Sequence, residues 1–126
     1  MKPDDYAVAV HMRAVYAREH SDPDQEKYVF KYDVCIRNIG ALTIQLISRH
    51  WIITDGDAKV EEVRGEGVIG EQPVLSCGQT HRYQSFCVLK TSVGCMQGSF
   101  QMKGADGLYF DAPIDILSLA IPGVLN

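Results

Sequence analysis

The chain of 126 residues has no uninterrupted apolar run that approaches the roughly 18 residues of a membrane-spanning helix. Its opening residues, MKPDD, also lack the apolar stretch of a secretory signal peptide. Both absences argue against a membrane partner, and they predict a cytoplasmic protein.

Paired cysteine motifs, metal-ligand spacings and an excess of positive charge are missing as well. The four cysteines form no C-x-x-C pair, and without an export signal we expect four free thiols. The four histidines and these cysteines match no closed ligand set, so neither a metal site nor another cofactor is predicted. A formal net charge of -4 argues against sequence-independent binding of nucleic acid, which needs a basic face.

Helical periodicity is also absent, and alternation of apolar and polar residues takes its place. Residues 28–37 show it most clearly, which predicts a strand with an aromatic core face and with Cys35 facing outward. Strands are predicted at 8–17, 28–37, 43–54, 59–64, 80–89, 94–103, 108–112 and 114–119. Close spacing of so many strands predicts a single all-β domain over residues 1–126, with strands from about 6 to 121. Its expected architecture is an antiparallel sandwich or barrel.

The strand predicted at 43–54 carries large apolar side chains on both of its faces, and each face also has a polar interruption. Periodicity therefore leaves open which face is buried. A β-bulge near Arg49 would let the strand exchange its faces, and this is the expected resolution. Asp55, Gly56 and Asp57 then supply the chemistry of a hairpin turn.

Three glycines follow at the spacing Gly-x-Gly-x-x-Gly, namely Gly65, Gly67 and Gly70. In a dinucleotide-binding protein this pattern cradles a pyrophosphate at the start of a helix. Here Pro73 comes too soon for a long helix, and a strand pattern resumes beyond it. The pattern therefore does not belong to a dinucleotide-binding fold.

Two interpretations of the glycines stay open. In the first they serve the backbone, by allowing a turn, a bulge or the close approach of two strands. In the second, successive backbone N-H groups form a nest for a phosphate-containing small molecule, assisted by Arg49 or His50. The anion-binding residues would then be Arg64, Gly65, Gly67 and Gly70.

A candidate contact site for a protein partner is the run Arg49, His50 and Trp51, which holds the only tryptophan of the chain. If exposed, these side chains suit an interface, because Trp and Arg carry much of the energy at such contacts. A catalytic cysteine would need a histidine that folding brings to it, and no nucleophile motif surrounds any cysteine. No catalytic residue is therefore predicted.

Four segments together resemble the ApaG family, from about Val8 to Pro122. They are RHWIITD, VRGEGVIGEQPVL, GCMQGSFQM and SLAIP. The residues that fall on the family's pattern are Arg49, Trp51, Gly65, Gly67, Gly70, Pro73, Met96 and Gly98.

This resemblance implies a fibronectin type III or immunoglobulin-like sandwich of two antiparallel sheets, without enzymatic activity. Bacterial members are linked to cobalt tolerance and magnesium efflux, and similar domains in eukaryotic F-box proteins imply an adaptor role. The expected function is therefore a non-enzymatic module that binds an unidentified protein. The alternative is a binder of phosphate, pyrophosphate or a nucleotide metabolite, connected to cobalt and magnesium balance. Self-association through an exposed edge strand is a third expectation.

Overall fold

The computed structural model describes residues 6–123, most of which lie in strands. The strands are β1 (Val8–Tyr16), β2 (Tyr28–Asn38), β3 (Ile44–Asp55), β4 (Val60–Glu66), β5 (Val74–Leu75), β6 (Thr80–Leu89), β7 (Val93–Gly104) and β8 (Tyr109–Ala120). Two short 3-10 helices, Arg18–His20 and Pro23–Gln25, lie between β1 and β2. No helix in this part of the chain has the length and apolar character needed to cross a bilayer.

The strands form two sheets that pack face to face. One sheet has the order β1-β2-β6, and the other has the order β4-β3-β7-β8 with β5 paired to β3. All of these strand pairs are antiparallel. The predicted sandwich of two antiparallel sheets is confirmed.

Alternation along each strand explains the core between the sheets. In β2, Phe30 and Ile36 point inward and are 1% and 0% exposed, whereas Cys35 lies on the outward side as predicted. The facing sheet contributes Phe100 and Met102, both fully buried. One buried cluster therefore draws on both sheets.

Strand β3 exchanges its buried face at a β-bulge. Ile44 and Leu46 are buried before the bulge, and Trp51, which has the opposite parity, is buried after it. The register against β7 shifts at Ile47. The expected exchange of faces therefore occurs, but the bulge precedes its predicted position near Arg49 by two residues. The single extra residue explains why both faces of this strand carry large apolar groups.

The strands predicted at 108–112 and 114–119 are in fact one strand, β8. Pro113 lies inside it and is the partner of Ser99 on β7. Because β8 is an edge strand, one of its sides has no partner strand, and proline is tolerated there. The prediction of two separate strands was wrong for this reason.

The buried side chain of Asn38, at the end of β2, organises the connection to β3. Its Nδ2 donates hydrogen bonds to the carbonyl oxygens of Leu42 and Leu75, both at 2.9 Å. Its Oδ1 accepts a hydrogen bond from the N-H of Gly40, also at 2.9 Å. This one amide group thereby attaches the β2–β3 connection to β5.

Candidate functional site

The segment after β4 folds into a two-residue hairpin turn. The N-H of Val68 donates to the carbonyl oxygen of Glu71 at 2.8 Å, and the N-H of Glu71 donates back to Val68 at 3.0 Å. Between them, Ile69 and Gly70 have φ angles of 49° and 76°. Two successive left-handed residues are the geometry of a type I′ turn, for which glycine at the second position is favourable.

Gly67 leads into this turn and has no room for a side chain. Its φ is +62°, and a Cβ there would overlap the backbone oxygen of Glu71. Its N-H donates a 2.8 Å hydrogen bond to the carbonyl oxygen of Ile47, the bulge residue of β3. Gly67 therefore joins the turn closely to the point where β3 exchanges its faces.

Arg49 holds the same segment from the side of β3. Its Nη1 donates to the carbonyl oxygens of Glu66 and Gly67, at 3.1 and 2.8 Å. The guanidinium occupies the space beside Gly65, the residue paired with Arg49, where a Cβ would lie 2.7 Å from Nη2. Gly65 lacks a side chain at the position where Arg49 crosses the strand. We call residues 65–71 together with Arg49 the arginine clamp.

The hydrogen bonds of the arginine clamp give little support to the predicted anion nest. The N-H groups of Gly67, Val68 and Glu71 are all used by backbone carbonyl oxygens. Arg64 is exposed and pairs with His50, so its side chain points away from the face on which Arg49 lies. The predicted set of Arg64, Gly65, Gly67 and Gly70 therefore does not converge on one ligand, and the geometry supports the backbone interpretation of the glycines.

The predicted contact site of Arg49, His50 and Trp51 is not a continuous surface either. Trp51 is 3% exposed and lies between the rings of Tyr32 and Phe100, at centroid distances of 5.8 and 6.0 Å. Its indole is part of the core, so the exposure on which the predicted surface contact depended is absent at this residue. Adjacent strand residues point to opposite faces, which separates His50 from the indole of Trp51, whereas Arg49 and His50 border one hollow.

The outward side of the β1-β2-β6 sheet, which we call the small-sheet face, is the surface that sequence reasoning missed. Val15, Phe86 and Val88 stand on it and are 51%, 53% and 53% exposed. Val15 and Phe86 both pair with Lys31 of β2, which lies between them in one row, and Val88 lies in the next row, opposite Val29. The face comprises His11, Arg13, Val15, Lys31, Asp33, Cys35, Arg37, Arg82, Gln84, Phe86 and Val88.

Alternation within each strand was the only sequence signal for this face. It separates the two sides of β6, but it does not say that β6 lies beside β2 rather than beside its neighbours in sequence. The apolar strip formed by Val15, Phe86 and Val88 appears only when the register of the three strands is known.

Comparison with known proteins agrees with the resemblance seen in the sequence. The family model described as the ApaG domain matches residues 18–104, more than half of the chain. The chain belongs to the ApaG family. It is 55% identical to Protein ApaG of Azotobacter vinelandii, with 96% of each chain covered. It is 49% identical to Protein ApaG of Azoarcus sp. strain BH72, with 99% of this chain and 98% of the relative covered.

A crystal structure from Bordetella pertussis, named for the ApaA protein, has a TM-score of 0.93 to this ApaG chain. The two are 46% identical, and the match covers 96% of this chain and 98% of that one. The names of these relatives state neither an activity nor a ligand. The predicted family is confirmed, and the function has to be argued from the geometry.

The cysteines of this ApaG chain are free thiols in different environments. Cys77 is exposed, whereas Cys87 is 4% exposed. Burial, and to a smaller degree the nearby Glu61 carboxylate, raises the pKa of the Cys87 thiol to about 11. A thiol of such a high pKa is protonated at neutral pH and is a poor nucleophile. Within residues 6–123, no three His, Cys, Asp or Glu side chains converge as a metal site would require.

Proposed function

We propose that this ApaG-family chain is a non-enzymatic, cytoplasmic binding module that contacts a protein partner through its small-sheet face. The observation that carries the proposal is the apolar strip of Val15, Phe86 and Val88, each about half exposed. Phe86 and Val88 are neighbours on the outward side of β6, and Val15 lies across Lys31 from Phe86. Scattered apolar residues are normal on a protein surface, but neighbouring ones are typical of an interaction site. An exposed aromatic residue on a sheet face suits a protein contact.

The architecture is compatible with this proposal. The order β1-β2-β6 corresponds to strands A-B-E of an immunoglobulin-like sandwich, and β3-β7-β8 corresponds to C-F-G, with β4 added beside β3. We therefore propose a fibronectin type III or immunoglobulin-like module. Folds of this kind serve many functions, so the surface rather than the topology supports the assignment.

The interior chemistry favours binding over catalysis. Cys87 is a buried thiol of raised pKa, and the cation of Arg49 is used to hold two carbonyl oxygens. Free thiols in all four cysteines suit a reducing compartment such as the cytoplasm. The alternative, a binder of phosphate metabolites connected to cobalt and magnesium balance, has less support because the amides of the glycine segment are engaged.

A site-specific photocrosslinker tests the proposal. A photoreactive phenylalanine analogue at Phe86 should give discrete, saturable protein adducts in cells. The same analogue at Ile116, which is 64% exposed on the edge strand β8 of the other sheet, is the matched control and should give few. Adducts of equal yield and pattern from both positions would count against a specific contact at the small-sheet face.

A further inference from the structure

We propose that the partner bound by the small-sheet face is an acidic protein segment in extended conformation. Its carboxylates would lie on the Arg and Lys side chains of the face, and an apolar side chain beside them would lie on Phe86 and Val88. This inference rests on the proposed function, because it assigns a chemical class to the partner of the same surface.

The charge of the face is opposite to that of the rest of the chain. The face carries four formal positive charges, from Arg13, Lys31, Arg37 and Arg82, and one negative charge, from Asp33. Its net charge is therefore +3, whereas the whole chain carries -4, which leaves -7 for the remainder. An acidic partner is attracted to this face and repelled by other parts of the molecule, which favours one docking orientation.

The cations of the face form no ion pair with a carboxylate of the described residues, although Asp33 lies opposite Arg13. Each ion pair in the described part of the chain joins a histidine to a glutamate. Arg13, Arg37 and Arg82 are also exposed, so their guanidinium groups can reach a partner. Guanidinium groups bind carboxylates through two parallel hydrogen bonds, which gives such a contact geometric selectivity.

Along the strand direction, the spacing of the cations matches an extended chain, and across the sheet the cations are distributed over β1, β2 and β6. Along the sheet, Arg37 lies in a first row, Arg82 in a second, Arg13 in a third and Lys31 in a fourth, beside Phe86. Successive rows are two residues apart, or about 7 Å. In an extended peptide, every second side chain is on the same side, again at intervals of about 7 Å. A segment with acidic residues at alternate positions can therefore meet several rows in turn.

The apolar strip favours a protein over a nucleic acid as the occupant. Single-stranded nucleic acids are bound by several aromatic residues on which bases stack. Phe86 is the only Phe, Tyr or Trp among the residues of the face, and its ring has an edge contact with His20 at 5.5 Å. Its apolar companions are the aliphatic Val15 and Val88, which suit a Leu or Phe side chain of a peptide.

The probe is a fluorescein-labelled peptide of roughly eight residues, long enough to cross the rows, with glutamate alternating with serine and a Leu-Phe end. Fluorescence anisotropy at low salt should show saturable binding that weakens as salt is added. The double variant Arg13→Glu/Arg82→Glu should weaken binding about tenfold or more. The control Lys59→Glu/Arg64→Glu changes the net charge equally, at exposed positions off the face, and should weaken binding less than about twofold.

Three results would overturn the inference. They are absence of saturable binding, equal weakening by both double variants, and displacement of the peptide by a single-stranded RNA oligomer that binds more tightly. Circular dichroism of both double variants shows whether they are folded, which is expected because all four positions are exposed.

The crosslinker at Phe86 separates failure of this inference from failure of the proposed function. Adducts that persist in the Arg13→Glu/Arg82→Glu background leave the protein contact standing but contradict an acidic partner. Absence of adducts in the wild-type background contradicts the proposed function itself. An adduct of two copies of this chain would assign the face to self-association and would overturn the acidic partner.

Discussion

Replacement of Gly67 by alanine should destabilise the protein much more than replacement of Gly70, although both residues have left-handed backbone angles. The φ angles are +62° and +76°. A Cβ at Gly67 would overlap the backbone oxygen of Glu71, whereas a Cβ at Gly70 would have no heavy atom within 4 Å. A comparison of Gly67→Ala with Gly70→Ala therefore separates the free-energy cost of the left-handed backbone conformation from the cost of the steric overlap.

The magnitudes follow from these two terms. Alanine in the left-handed region costs about 1 kcal/mol relative to glycine, so Gly70→Ala should lower the free energy of unfolding by about 1 kcal/mol. At Gly67 the hairpin must also move, which adds about 2 kcal/mol and gives a total of about 3 kcal/mol. Gly78, with a φ of +83° and open space around it, is a second control and should behave like Gly70.

Urea unfolding monitored by fluorescence is a suitable assay, because Trp51 is the only tryptophan and is 3% exposed. In thermal unfolding, each kcal/mol should lower Tm by about 3 to 6 °C for a chain of this size. If Gly67→Ala and Gly70→Ala destabilise the protein equally, the close contact between Gly67 and Glu71 is not what requires glycine there.

Three further predictions concern single side chains. Asn38→Ala should lower the free energy of unfolding by about 3 kcal/mol, since it leaves three backbone groups without their partner; a loss under about 1 kcal/mol in urea unfolding would refute this role. Ile69→Asn should raise the free energy of unfolding by about 0.5 to 1 kcal/mol, because asparagine tolerates the φ of 49° better than a β-branched residue. An unchanged or lower Tm would argue against backbone strain at Ile69. The hydrogen bond from the Tyr6 hydroxyl holds the pKa of the Asp106 carboxyl below its usual value. This hydrogen bond therefore stabilises the protein at pH values above the usual pKa, and the stabilisation is lost as the pH falls through the lowered pKa. Tyr6→Phe should therefore raise the pKa of Asp106 in an NMR titration, and an identical titration curve in the variant would rule out this cause.

The sequence predicted the strands well because each has one buried side. Alternation at 28–37 identified both the core residues of β2 and the outward position of Cys35. Alternation was insufficient in β3. One extra residue there exchanges the inward and outward positions, so both faces of the strand carry large apolar side chains. The sequence pattern also predicted two strands on either side of Pro113, where the structure has the single strand β8. An edge strand accommodates a proline, whereas a central strand does not.

The candidate sites were less accessible to sequence reasoning. The prediction for Arg49, His50 and Trp51 treated neighbours in sequence as neighbours in space, whereas a strand sends adjacent side chains to opposite faces. Arg49 supports the glycine segment through two carbonyl oxygens, and Trp51 fills the core. Neither role can be deduced before it is known which side of β3 faces the other sheet.

By itself, the sequence determined the all-β class, the family and most strand positions, because side-chain alternation is a local property of the chain. Only the tertiary structure decided that β6 lies beside β2, since pairing between distant strands depends on the packing of the whole core. That pairing brings Phe86 into one row with Val15, and Arg82 into the row next to that of Arg13, and so creates the small-sheet face. The tertiary structure also decided that Arg49 lies across Gly65, because β3 pairs with β4 and the bulge at Ile47 turns this side chain towards the other sheet.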